Sequence, residues 1–241
     1  MKLFLLLIFP FSFINFSNTR LEKSFLIEKN IHTRWDIQLK KYVSDDGKVN
    51  YKDWINQIED LKNYIENLKK FIPNENWTKN ENLSYWINAY NAITVFLILE
   101  NYPIESIKKL RDPWGKKIFN LKNKYYSLSE IEHDILRKIN EPRIHFAINC
   151  ASNSCPKLLN EAYNSQNIEN QLNKVSESFI NNPKKNKIFN TTAELSKIFL
   201  WYSSDFGSKE QRLEFINKYS KIKITSSTKI KYLSYDWSLN E

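Results

Sequence analysis

The sequence predicts one α+β domain that is mostly helical and contains a small central sheet. Apolar side chains recur at helical spacing along most of the chain, and only short stretches alternate as strands do. Among 241 residues, 41% are hydrophobic and 15% are aromatic, which supports one sizeable core and is little for two. No internal repeat and no long linker divides the chain, so a single domain follows.

The N-terminus has the pattern of a secretory signal. Lys2 is followed by an apolar run of residues 3–14 and then by polar residues. A run of roughly 12 apolar residues is too short to cross a bilayer comfortably and is typical of a signal peptide. We therefore predict a signal over residues 1–18, and an exported protein, periplasmic or extracellular. No later stretch is apolar enough to suggest a membrane span after signal removal.

The net charge of +9 selects no partner by itself. A basic protein can contact nucleic acid, anionic lipid or an acidic polymer, but here the basic residues are mostly scattered lysines, which is typical of a solvated surface. The three glycines form no phosphate-binding loop. We expect no nucleic acid partner and no nucleotide chemistry; an unknown substrate or protein of the cell envelope is the expected partner.

Helices dominate the first half of the chain. Apolar spacing predicts a helix over residues 20–43. We expect the N-terminal helical segment 19–39 to pack on a domain that spans 40–240. A turn at 45–47 precedes a second helix from Trp54 to Ile72, which Pro73 ends. The most apolar helix covers 80–101 and should be buried on nearly all sides. Its polar residues Asn88 and Asn91 must therefore find hydrogen-bond partners, either in neighbouring backbone or in a ligand.

Strands enter after residue 116. Two short apolar runs flank residues 122–124 and predict a hairpin. A capping-box pattern at 129–132 opens a helix through Ile139. Residues 143–149 alternate and predict a central strand. Further helices are expected near 168–179, 195–202 and 209–219, with strands at 222–225 and 230–237. We interpret the trio Asp205-Phe206-Gly207 as a turn that ends a helix.

Four motifs resemble those of the domain-of-unknown-function 547 (DUF547) family. They are YWINAYNA at 85–92, LSEIEH at 128–133, HFAINCASNSCP at 145–156 and YDWSLN at 235–240. They run in the family's order over roughly residues 40–240. The resemblance implies an exported bacterial protein that consists of the bare domain, and it implies no established activity.

The two cysteines of the third motif admit two interpretations. In an oxidising compartment, Cys150 and Cys155 can form one short disulfide. The resemblance to plant members, which carry Ser in place of Cys155, implies instead that such a bridge is dispensable and that Cys150 has its own task.

A thiol nucleophile needs a base and a group that orients it. An extended strand would place His145 roughly 16 Å from Cys150, so His133 is the predicted base, with Asn88 or Asn91 as the orienting or oxyanion group. The predicted substrate-binding residues are Trp86, Tyr90, Glu132 and His145. Neither Cys nor His has the spacing of a zinc site, so we expect no metal and no cofactor.

Two functions follow as hypotheses. The first is a thiol-dependent hydrolase or acyl-transfer enzyme that acts on an amide of the cell envelope through Cys150. The second is a non-catalytic binding or interaction module, in which Cys150 and Cys155 form a disulfide and aromatic residues such as Trp86, Tyr90 and Trp114 line a groove.

Overall fold

The computed structural model describes residues 31–241. The predicted signal over 1–18 and the first part of the predicted helix over 20–43 lie outside this range. The described residues form helices and two small sheets, which confirms the α+β class.

Aromatic stacking holds the N-terminal helices together. Residues 31–42 are helical (α1) and are followed by α2 (Tyr51–Trp54), a 3₁₀ turn (Ile55–Gln57) and α3 (Ile58–Leu68). Trp35 stacks on Trp54 and on Tyr64, with ring centroids 5.7 and 5.6 Å apart, and all three are fully buried. These rings join α1 to the two helices that follow it.

Helix α4 (Lys79–Glu100) is the centre of the core, as its composition predicts. Thr78 and Glu81 form a capping box at its start. Sixteen of its 22 residues are buried, and α3, the later helix at Ile168–Ile180 and the segment that begins at Ile131 pack around it. A helix enclosed in this way can deliver polar side chains only to the backbone of its neighbours or to an internal site.

The predicted hairpin forms from β1 (Phe119–Leu121) and β2 (Lys124–Tyr126). The helix that follows begins two residues earlier than its sequence pattern suggested, because Ser127 and Glu130 form the capping box. Helix α5 (Leu128–Glu130) then widens into a π-helix at Ile131–Leu136 and tightens to a 3₁₀ turn at Arg137–Ile139.

The predicted central strand at 143–149 is wrong. Residues Pro142–Phe146 form a 3₁₀ helix, which Glu141 caps by accepting from the Arg143 N–H. Residues on both sides of this segment are buried, including the polar His145 and Asn149. The alternation of polar and apolar residues here does not separate an exposed face from a buried one. Alternating polarity therefore did not distinguish a core-facing strand from an enclosed 3₁₀ turn.

The second sheet lies in the C-terminal third and is not central. Its strands are β3 (Lys187–Ile188), β4 (Thr192–Leu195) and β5 (Lys229–Tyr232). Strand β4 pairs antiparallel with β3 and parallel with β5. The remaining elements are helices, namely α6 (Ile168–Ile180), α7 (Ile198–Trp201), a 3₁₀ helix (Ser203–Phe206) and α8 (Lys209–Tyr219).

Two predicted C-terminal strands need correction. Residues 222–225 form no strand, because the Asn217 side chain bonds both the N–H and the carbonyl of Ile224 in place of a strand partner. The strand predicted for 230–237 ends at Tyr232. Within residues 31–241, no helix is long and apolar enough to cross a membrane.

Candidate active site

A tight turn presents Cys150. The Asn149 side chain accepts the N–H of Ala151 at 2.8 Å and donates to the Pro156 carbonyl at 2.7 Å. Ala151 has a left-handed backbone with φ of 55°, a conformation that costs a non-glycine residue about 1 kcal/mol or more. The Asn149 bonds hold this strained turn, and Cys150 stands partly exposed immediately before Ala151.

The Cys150 thiol is surrounded by groups that favour its thiolate. Its Sγ lies 3.1 Å from Ser152 Oγ and 3.3 Å from the Tyr235 hydroxyl. Burial opposes ionisation, but hydrogen bonds with Cys155, Ser152 and Tyr235 outweigh it and hold the pKa of Cys150 below its ordinary value. Burial and the two cysteines raise the pKa of Tyr235, so its hydroxyl stays protonated and able to donate.

Cys155 is buried beneath Cys150. Both cysteines are free thiols in this structure. The Cys150 N–H donates to Cys155 Sγ at 2.8 Å. Burial and the neighbouring Cys150 raise the pKa of Cys155 far above its ordinary value, so Cys155 remains a thiol where Cys150 ionises.

The π-helix at Ile131–Leu136 brings Glu132 and His133 to the same pocket. Adjacent residues of an α-helix point about 100° apart, which would separate the two side chains. The i→i+5 bonding of a π-helix makes the turn wider and reduces this angle. Glu132 is buried and its Oε2 accepts from the Tyr90 hydroxyl at 3.2 Å, whereas His133 is exposed at the rim.

His133 is unsuited to act as a base. Its Nδ1 lies 2.9 Å from Nη1 of Arg137, one helical turn further on. Because a guanidinium can only donate, Nδ1 must accept, and the ring proton lies on Nε2. The lone pair that a base requires is therefore occupied, and His133 offers the pocket an N–H donor.

His145 has the complementary arrangement. Its Nε2 lies 2.8 Å from Asp205 Oδ2, and its ring stacks on Tyr202 with centroids 3.9 Å apart. Burial opposes the charge of Asp205, but hydrogen bonds from Arg137 and His145 lower the pKa of this carboxyl well below its ordinary value. A carboxylate accepts, so Nε2 carries the proton and Nδ1 keeps its lone pair. His145 Nδ1 is buried and has no partner among residues 31–241.

These groups share one pocket of about 370 Å³. Most of its wall is aromatic or aliphatic, and the polar groups are few. Its lining residues are Tyr90, Trp114, Ser129, Glu132, His133, His145, Ile148, Cys150, Cys155, Pro156, Ile198, Trp201, Tyr202, Tyr235 and Trp237. Five predicted site residues therefore meet there with Cys155, namely Tyr90, Glu132, His133, His145 and Cys150.

The predicted roles of Asn88 and Asn91 need correction. Asn88 bonds both the N–H and the carbonyl of Tyr163, at 3.0 and 2.8 Å. Asn91 accepts from the Asn149 N–H at 2.8 Å and donates to the Ala147 carbonyl at 3.0 Å. Both amides are buried and neither lines the pocket. They hold backbone, and Asn91 positions the cysteine turn without orienting a histidine.

Trp86 is also misplaced as a substrate-binding residue. It is buried and packs edge-on against Tyr85 and Phe119, with centroids 5.2 and 6.5 Å away, so it belongs to the core. The extended-strand geometry that excluded His145 does not apply either. His145 lies in the 3₁₀ helix Pro142–Phe146 and not in a strand, and it lines the same pocket as Cys150.

Sequence reasoning missed several residues of the site. Tyr235 lies within a recognised motif, and Arg137 lies shortly after one. Their position in or near a motif was the signal that could have indicated them as site residues. Asp205 was taken for part of a turn, and the 3₁₀ helix at Ser203–Phe206 does place it there. Its partners Arg137 and His145 are 68 and 60 residues away, so no local pattern could indicate its role. Within residues 31–241, no three His, Cys, Asp or Glu side chains form a group suited to a metal ion.

Comparison with known proteins gives one match. The family model described as "Protein of unknown function, DUF547" matches residues 74–180. This range contains Glu132, His133, His145 and Cys150, and it ends before Asp205 and Tyr235. No curated protein and no solved structure matches the chain.

Proposed function

The chain belongs to the DUF547 family of proteins of unknown function, and on that premise we propose that it is a thiol-dependent hydrolase or acyl-transfer enzyme with Cys150 as the nucleophile. The observation that supports this most is the position of Cys150. It stands partly exposed on a strained turn, with hydrogen bonds that favour its thiolate, on the wall of a pocket that also contains His145.

His145 is the proposed base, in place of His133. Asp205 fixes the tautomer that leaves His145 Nδ1 free to accept a proton, which is the role a carboxylate has in a catalytic triad. Arg137 binds both oxygens of Asp205, at 2.6 and 2.5 Å, and so holds the carboxylate in place. His133 acts at the rim as an N–H donor to the substrate.

The reaction is written for an amide. The Cys150 thiol proton passes to His145 Nδ1, directly or through one water, and the thiolate attacks the carbonyl carbon. The tetrahedral oxyanion accepts hydrogen bonds from the Tyr235 hydroxyl and His133 Nε2–H. Collapse breaks the C–N bond, and the amine leaves with the proton of His145. Water then loses a proton to His145, attacks the thioester and releases a carboxylic acid and the Cys150 thiol; an amine in place of water gives acyl transfer.

An amide of the cell envelope is the proposed substrate, and export is the premise of that choice. The signal pattern of residues 1–18 supports this location. The test is to fuse residues 1–30 to a reporter enzyme that is active only after export. A fusion with no exported activity would contradict the proposed location.

Selective alkylation tests the proposed nucleophile. Folded protein is treated with iodoacetamide near pH 7, and the modified cysteine is identified by peptide mass spectrometry. We expect fast modification of Cys150 and slow modification of Cys155, whose raised pKa and burial protect it. An unreactive Cys150 in the reduced protein would reject the enzyme. Two results together would support the non-catalytic binding module. The cysteines would form a disulfide in protein purified without reductant, and Cys150→Ser would leave the function unchanged.

A further inference from the structure

We infer that the pocket binds a substrate that carries a positively charged amino group, with this ammonium held by Glu132 and the aromatic wall. The inference rests on the proposed function for the position of the scissile amide beside Cys150. It rests on separate observations for the cation. These are a buried carboxylate with an unpaired oxygen, a wall rich in tryptophan and tyrosine, and the absence of a lysine or arginine among the lining residues.

Glu132 is the first observation. The residue is 4% exposed, and Oε2 accepts from Tyr90. The Tyr202 hydroxyl also interacts with this carboxylate, while Oε1 has no hydrogen-bond partner at bonding distance among residues 31–241. A buried carboxylate is destabilised unless cations or donors compensate it. The guanidinium of Arg137 is close enough to interact with Glu132 but is bonded to Asp205. A ligand cation beside Oε1 would supply the positive charge that this buried carboxyl group lacks.

The aromatic wall is the second observation. Trp201 is 46% exposed and stacks with Trp237 at 6.0 Å, and Trp237 meets Trp114 edge-on at 5.7 Å. Tyr235 joins this group with its ring 4.6 Å from that of Trp237. Faces of tryptophan and tyrosine attract cations. The Lys108 ammonium stands 5.3 Å from the Trp237 ring, within the range of a cation–π contact.

The charges around the pocket favour a cation over an anion. His133 and His145 are the lining groups able to become positive, and each is held by the hydrogen bond described above. The nearby arginine is paired, and the lysine on Trp237 is exposed at the edge. Glu132 contributes a carboxyl group, and Cys150 becomes a thiolate in the proposed reaction. Among residues 31–241, no lysine or arginine lines the pocket to offset an anionic ligand.

Tetramethylammonium is the probe, and tert-butanol of similar shape is its neutral control. The first readout is the rate of Cys150 alkylation by iodoacetamide at constant ionic strength. The second is broadening of the methyl resonance of tetramethylammonium by NMR in the Cys150→Ser variant, which requires no reactive thiol. We expect tetramethylammonium, but not tert-butanol, to slow alkylation severalfold and to broaden in the variant.

Matched substitutions locate the site. Glu132→Gln keeps the shape and should weaken tetramethylammonium binding roughly tenfold, as expected for loss of one charge contact. Asp134→Asn, on the exposed side of the same helix, should change nothing. Glu132 is buried, so its replacement can also disturb the fold. Trp201→Ala therefore provides a second test at an exposed position, and Leu200→Ala, at the exposed neighbouring residue, is its control.

Two outcomes separate the inference from the proposed function. A reactive Cys150 that tetramethylammonium protects no better than tert-butanol does would overturn the cationic substrate and leave the thiol enzyme standing. Specific NMR broadening that depends on Glu132, together with an unreactive Cys150, would support the cation site and reject the enzyme.

Discussion

His145 Nε2 lies 2.8 Å from Asp205 Oδ2, although sixty residues separate them in the chain. The same carboxylate receives two hydrogen bonds from Arg137, which in turn bonds His133. One hydrogen-bond network therefore holds both histidines as the Nε2–H tautomer, but it occupies Nδ1 of His133 and Nε2 of His145. His145 is left with a free lone pair, and His133 with an N–H.

Replacing Asp205 should remove the base without removing its ring. Asp205→Asn can donate its amide to His145 Nε2, which would place the ring proton on Nδ1, where the proposed mechanism needs a lone pair. We expect Cys150 alkylation near pH 7 to fall roughly tenfold or more. Asp134→Asn, the same substitution at an exposed position, is the control. An unchanged rate in Asp205→Asn would remove this carboxylate from the proposed mechanism.

Asp205 should also stabilise the fold in a pH-dependent way. Its pKa is lower in the folded protein than the ordinary value near 3.8, because the bonds from Arg137 and His145 outweigh the effect of burial. A depressed carboxyl pKa contributes stability that is complete above the unfolded pKa and is lost as the pH falls towards the folded pKa. The difference in unfolding free energy between the protein and Asp205→Asn should therefore shrink below about pH 4. Urea unfolding at pH 7 and at pH 3 measures it, and a constant difference would contradict this assignment.

The two buried asparagines of α4 should have separable effects. Asn88→Ala and Asn91→Ala each remove two buried hydrogen bonds and should destabilise the protein by about 1 to 3 kcal/mol in urea unfolding. Only Asn91 holds the backbone of Asn149 beside the nucleophile. We therefore expect Asn91→Ala to slow Cys150 alkylation, and Asn88→Ala to leave it unchanged. Equal rates in the two variants would refute a positioning role for Asn91.

Tyr235 should promote thiolate formation. Its hydroxyl donates towards Cys150 Sγ from 3.3 Å, and this bond is one of those that lower the pKa of Cys150. Tyr235→Phe keeps the ring and removes the donor, so the pKa of Cys150 should rise and alkylation at pH 7 should slow severalfold. The pH profile of the alkylation rate is the measurement. If the midpoint does not shift, the hydrogen bonds with Ser152 and Cys155 suffice to lower the pKa of Cys150, and Tyr235 has no such role. Tyr125 is an exposed tyrosine of the hairpin, so Tyr125→Phe is the control for surface effects.

The helical scaffold was predictable because its signals are local. The apolar period of α4 and the hairpin around Lys122 are each read within a few residues, whereas the predicted capping box at 129–132 lies two residues after the one that Ser127 and Glu130 form. The segment at 143–149 was not, because alternation cannot distinguish a strand from a 3₁₀ turn that is buried on all sides. The π-helix also escaped prediction, and with it the shared orientation of Glu132 and His133.

The site was predictable where motif and chemistry coincide. Cys150, both histidines, Glu132 and Tyr90 lie in motifs and do line one pocket. The roles proposed from the structure differ from those expected from the sequence, because they depend on partners distant in sequence. Asp205 decides which histidine keeps its lone pair, and the backbone of Tyr163 and Asn149 occupies the amides of Asn88 and Asn91. Such pairings are consequences of the fold, and the spacing of residues along the sequence does not predict them.

The most direct test of the proposed mechanism is the pH dependence of Cys150 alkylation in the protein and in the variants His145→Asn and His133→Asn. If His145 is the base, His145→Asn should shift the profile to higher pH and strongly reduce the rate near neutrality, while His133→Asn keeps the profile of the unsubstituted protein. The opposite pattern, with the shift in His133→Asn alone, would contradict the assignment of His145 and Asp205.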